Sequence, residues 1–160
     1  MFGGMEFRSQ PVNAPQTQRP QQASVQAADP APRAASGFGA VTIKADQSGQ
    51  YHADLEIDSL RIPMMVDTGA TVIALRYEDA DRLGIHPSPS DFTVNVSTAN
   101  GEIKAARVKL RDVRLENITV TDVQALVLPP GVLSKSLLGM SFMNRLSSFQ
   151  IANRELVLKP

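Results

Sequence analysis

The apolar positions of this chain recur mostly with period two. Tyr51, Ala53, Leu55 and Ile57 share one parity, and His52, Asp54, Glu56 and Asp58 share the other. Such alternation marks a strand with one face in a core and the other in water. Phe92, Val94 and Val96 repeat it, as do Ala106, Val108 and Leu110. Between these runs lies Asn100-Gly101, two residues that both tolerate positive φ, which predicts a hairpin. Further short strands are predicted over 113–115, 118–120 and 123–128, the last stopped by Pro129-Pro130-Gly131, and over 156–158. Helical spacing is brief: residues 78–83, closed by Gly84, and residues 140–146, entered through Gly139. Many short strands, two small helices and no fixed repeat predict an all-β domain, barrel-like or sandwich-like.

The pattern begins near Phe38. Residues 9–36 are mainly Gln, Pro and Ala, with almost no large apolar side chains. Such a segment buries too little surface to offset its ordering entropy. The expected division is a disordered, partly extended linker or tail over 1–37 and one folded domain over 38–160.

Composition narrows the chemistry. The 160 residues carry a formal net charge of zero, so charge gives no reason to expect a nucleic-acid partner. Cysteine is absent, which removes thiol nucleophiles, disulfides and Cys-type zinc sites together. The two histidines, His52 and His86, are too few for a His-rich metal site. No metal and no other cofactor is expected. Without Trp, and with few aromatics, the core must be aliphatic. No apolar run reaches the roughly 18 residues of a membrane span, and the first residues lack the pattern of a signal peptide. The expectation is a soluble protein, or one whose membrane anchor lies upstream of this sequence.

One apolar stretch is interrupted by a carboxylate. Residues 62–75 read I-P-M-M-V-D-T-G-A-T-V-I-A-L, so Asp67 sits between two core-like strands. A carboxylate there is costly unless hydrogen-bonded or paired. Thr68 supplies a hydroxyl, and Gly69 lets the backbone turn and another chain approach closely. The same tripeptide also suits an ordinary β-turn. Two further features are ordinary on their own: the hairpin around Ala99-Asn100-Gly101 and the run Ser136-Leu137-Leu138-Gly139.

In this order the three features resemble the retropepsin-like aspartic proteases (clan AA), in particular their bacterial single-domain branch. The matching stretches are V-D-T-G-A-T at 66–71, D-A-D-R-L-G-I at 79–85 and L-L-G-M-S-F-M-N-R-L at 137–146. The resemblance covers about residues 38–160 and implies a retropepsin-like half-barrel acting as an aspartic endopeptidase. It implies that Asp67 is the catalytic carboxylate and that Thr68, Gly69 and Ala70 complete its loop. Leu137, Leu138 and Gly139 would brace that loop. Ala99, Asn100 and Gly101 would tip a flap over a peptide or protein substrate.

Aspartic proteases use two carboxylates sharing one proton, one to activate water and one to protonate the carbonyl. The chain carries one D-T-G, so the resemblance implies a homodimer. Bacterial members often carry an N-terminal membrane helix, which would put this domain on the periplasmic side of the inner membrane if such an anchor lies upstream. Two departures stand out. The flap lacks the tyrosine of pepsin-like flaps, and Ala70 stands where a serine would offer another donor. The competing reading is a non-catalytic peptide-binding or dimerisation module of the same fold in the cell envelope. Other charged groups have plainer expectations. Asp54, Glu56 and Asp58 read as a solvated strand face, Asp79 and Asp81 as acids of a helical first turn, and Arg107, Lys109, Arg111 and Arg114 as another solvated face.

Overall fold

A computed structural model describes residues 39–160; the linker expected over 1–37 lies outside them. The described chain runs β1 (Val41–Lys44), β2 (His52–Ile57), β3 (Leu60–Val66), β4 (Ile73–Leu75), α1 (Tyr77–Arg82), a 3-10 turn (Pro89–Asp91), β5 (Phe92–Thr98), β6 (Gly101–Leu115), β7 (Ile118–Val127), β8 (Ser136–Leu138), α2 (Met140–Met143), β9 (Ser148–Ala152) and β10 (Glu155–Lys159). Seven strands form one sheet in the order β2-β3-β8-β4-β7-β6-β5, curled until β2 also pairs with β6. A second sheet has the order β1-β10-β9. This is the all-β half-barrel with short helices that the sequence led us to expect.

The core is aliphatic, built from residues such as Leu55, Ile57, Ile62, Ile73, Leu75 and Leu110, with Phe142 of α2 added. Along β2 the alternation holds: Ala53, Leu55 and Ile57 are buried, while His52 and Asp54 are exposed. Among the described residues, no helix is long and apolar enough to cross a membrane.

Several local expectations need correction. The sequence pattern divides β6 and β7 into two strands each, yet each is continuous. On β6 the buried positions change from Ala106 and Leu110 to Val113 and Leu115; on β7 they change from Val127, Ala125 and Val123 to Val120 and Ile118. The register does not slip, since Leu110 faces Val123 and Asp112 faces Thr121. Both strands turn over together beside Asp122, whose φ is 54°. The reversed parity marks a twist of the ribbon, not a gap in it.

At the β5–β6 turn, only Gly101 uses positive φ (116°). Ala99 and Asn100 form the loop, closed by the pair Thr98–Gly101. The Thr98 hydroxyl donates to Gly101 O at 2.8 Å and accepts from Asn100 N at 3.3 Å. Helix α1 starts one residue earlier than expected, ends at Arg82 and is closed by Gly84, whose N–H bonds Asp81 O at 2.9 Å. Helix α2 stops at Met143; residues 144–146 continue it mainly as tighter turns, with Arg145 N on Phe142 O and Leu146 N on Met143 O.

Candidate active site

Strands β3 and β4 are consecutive in the chain but not neighbours in the sheet. β8 lies between them, parallel to β3 and antiparallel to β4. The chain from Val66 to Ile73 must therefore cross the end of β8. It does so in contact with Gly139: a Cβ there would lie 2.1 Å from Val72 O and 2.8 Å from Ala70 O. Gly139 itself is extended (φ −97°, ψ −174°), so space, not backbone freedom, demands the glycine. Two backbone bonds fasten the crossing: Asp67 N donates to Leu138 O at 3.0 Å, and Met140 N donates to Ala70 O at 2.8 Å.

These constraints hold Asp67 half-buried at the head of the loop. Its Oδ1 accepts a hydrogen bond from Gly69 N at 2.8 Å, and its carbonyl accepts one from Ala70 N at 3.2 Å. Thr68 and Gly69 are exposed at the tip. Behind the loop, the Ser141 hydroxyl accepts from Ile73 N at 3.0 Å and donates to Gln124 O at 2.8 Å, joining α2, β4 and β7.

A cleft of about 760 Å³ separates this loop from the β5–β6 hairpin. It brings together five residues singled out from the sequence: Asp67, Gly69, Ala70, Ala99 and Leu137. Leu126, Leu128 and Leu133 make much of its wall apolar. The other singled-out residues sit around it. Leu138 and Gly139 lie under the loop, Thr68 is at the loop tip, and Asn100 and Gly101 are at the hairpin turn.

Sequence reasoning missed a buried polar cluster beside the site. Asp79, read as a first-turn acid, is only 3% exposed. It accepts from the Ser136 hydroxyl at 2.6 Å and from Arg76 Nε at 3.2 Å, with Arg82 Nη1 at 3.5 Å. Ser136 Oγ in turn accepts Arg76 N at 3.0 Å. A carboxylate so paired and bonded is tolerable inside a protein, and it ties the end of β4 to the start of β8. The i,i+3 spacing of Arg76 and Asp79 was visible in the sequence; Ser136, distant along the chain, was not.

The strand order, the loop crossing β8 and the facing hairpin find their match among known proteins. A family model described as aspartyl protease matches residues 53–142, over half of the chain. The chain belongs to the aspartyl protease family. That match runs from β2 into α2 and includes the Asp67 loop, the hairpin and β8. A retropepsin-like aspartic protease from Rickettsia conorii has 35% identity and a TM-score of 0.68, over 75% of this chain and 89% of that one. The EIAV protease complexed with an inhibitor has the same fold at 13% identity, with a TM-score of 0.55 over 69% of this chain and 100% of that one.

Two curated relatives are uncharacterised proteins. One, from the cobV 5′ region of Sinorhizobium sp, is 42% identical over 112 residues, which are 70% of this chain and 48% of that protein. The other, from Rickettsia prowazekii (strain Madrid E), is 36% identical over 120 residues, 75% of this chain and 51% of that protein. This aspartyl protease chain thus spans about half the length of the curated relatives it matches.

Proposed function

We propose that this chain is half of an aspartic endopeptidase and works as a homodimer with Asp67 as its catalytic carboxylate. The observation that carries the reading is the single half-buried Asp67, held by the crossing over β8 and opening onto a largely apolar cleft. In the proposed dimer, Asp67 and the partner's Asp67 share one proton. The ionised carboxylate takes a proton from water, and the resulting hydroxide bonds to the scissile carbonyl carbon. The protonated carboxylate gives its proton to the carbonyl oxygen. Collapse of the tetrahedral diol then breaks the C–N bond: the carboxylate that took the water's proton gives it to the leaving amine, and the other takes back the diol's proton, restoring the pair. Thr68 and Gly69 are the loop residues that meet their counterparts, and Ala99, Asn100 and Gly101 close over the substrate. Residues 1–37 serve as a linker or tail to this domain.

The sheet order favours one contact between copies. β10 is already paired on both edges, by β1 and β9. The outer edge of β9 has no partner among the described residues, and its sequence Ser-Phe-Gln-Ile-Ala carries neither charge nor proline to protect it. Ile151 there is 52% exposed. Two β9 strands pairing antiparallel about Gln150 set Phe149 opposite the partner's Ile151, a self-complementary apolar contact.

Dilution tests the proposal. Specific activity on a peptide library should fall as the protein is diluted through its dimer dissociation constant, and a substrate analogue carrying a tetrahedral hydroxyl should block it. Specific activity that stays constant in a sample shown to be monomeric refutes the dimer.

A further inference from the structure

Four residues on neighbouring strands form one row across the cleft wall. Leu137 of β8 is paired with Ala74 of β4, Ala74 with Leu126 of β7, and Leu126 with Arg107 of β6. Laterally paired residues project from the same face of a sheet, and all four line the cleft. Three are apolar, and the row ends in a guanidinium. Among the described residues that line the cleft, Arg107 is the one cation and Asp67 the one anion.

The basic alternation on β6 therefore divides. Lys109 lies 3.9 Å from Asp122, and Arg114 pairs with Glu56. Arg111 Nε lies 3.3 Å from Asp58 Oδ1, an ion-pair distance without hydrogen-bond alignment. No carboxylate of the described residues lies within 4.0 Å of Arg107. Each of these neighbours thus has a carboxylate partner, whereas Arg107 has none at that distance and lines the cleft, as well as the adjoining recess that holds Asp91.

We propose that Arg107 is a specificity-determining residue that selects an acidic side chain in the peptide, three to four residues from the scissile bond. This rests on the protease reading above. Three strand spacings of about 4.8 Å put Arg107 about 14 Å along the row from Leu137. Leu137 adjoins Leu138, whose carbonyl holds Asp67. An extended peptide advances about 3.3 Å per residue, so about four residues cover the distance, less the reach of the arginine side chain. A two-fold dimer carries one Arg107 toward each end of a continuous cleft. The preferred segment is then apolar around the cleaved bond and acidic on both flanks.

A peptide series with one apolar centre tests this, with Glu, Gln or Lys placed at each of the second to fifth positions on either side. The wild type should prefer Glu to Gln up to about 5-fold in kcat/KM at the third or fourth position, the size expected of a partly solvated ion pair. The preference should reside in KM and shrink with added salt. Arg107→Gln should level the Glu and Gln peptides, and Arg107→Glu should shift the preference to Lys. Cleavage without any acidic preference overturns the inference alone, as does a Glu preference that survives Arg107→Glu. Failure of the wild type to cleave any peptide overturns the protease reading and this inference with it.

Discussion

Replacing Gly139 with alanine perturbs the loop crossing at its tightest point. The added Cβ would lie 2.1 Å from Val72 O, 2.5 Å from Val72 C and 2.8 Å from Ala70 O. All three are backbone atoms, so no side chain can rotate away, and the loop or β8 must move by about 1 Å to reach ordinary contact. Overpacking of this kind costs about 1–3 kcal/mol. Displacing Ala70 O from Met140 N loses a hydrogen bond worth about 1 kcal/mol. Together the loss is about 3 kcal/mol, or roughly 10 °C in Tm for a domain of this size. Urea unfolding measures it as a lowered midpoint at unchanged slope. Gly84→Ala is the control: nothing lies within 4 Å of its new Cβ, and only the positive φ of 73° is opposed. That control should lose about 1 kcal/mol. If Gly139→Ala proves no worse than Gly84→Ala, the account of the crossing is wrong.

Three further outcomes are expected. Ser136→Ala removes a donor to buried Asp79 and the acceptor of Arg76 N, and should lower stability by about 1–3 kcal/mol; an unchanged Tm contradicts the cluster. Ile151→Lys should leave the monomer folded and raise the dimer dissociation constant in sedimentation, whereas wild-type association would remove β9 from the interface. The Asp46 carboxyl is lowered from 3.8 to about 2 by the N–H of Gln50, then by Ser48 and His52. A lowered carboxylate stabilises the fold fully above its unfolded value and loses that contribution as pH falls toward 2. The stability difference between wild type and Asp46→Asn should therefore shrink between pH 5 and 2; a constant difference contradicts the assignment.

The strands were legible wherever one parity faced the core throughout, as in β2. β6 and β7 were misread because their ribbon twists at Arg111 and Asp122, and periodicity alone cannot tell a reversed face from a chain break. β9 was missed because only Phe149 and Ile151 are large and apolar, and its turn into β10 uses Asn153-Arg154 at φ 51° and 62° in place of a glycine-containing pair. Asp67 stood out because a carboxylate between apolar runs is costly. The reason for Gly139 was hidden, since it depends on β8 inserting between β3 and β4. Asp79 does lie in the first turn of α1, but its burial was hidden for a similar reason, because the hydroxyl that satisfies it comes from Ser136 at the start of β8. Non-local partners decide such sites, and no window along the chain contains them.

In the proposed enzyme each chain supplies half of one catalytic pair. Mixing wild type with Asp67→Asn at fixed total protein, after subunit exchange, measures this most directly. If both carboxylates are required, activity follows the square of the wild-type fraction, so an equal mixture keeps about a quarter of the full rate. A rate that falls only to about half, as when each chain acts on its own, or to about three quarters, as when one Asp67 per dimer suffices, would contradict the shared pair.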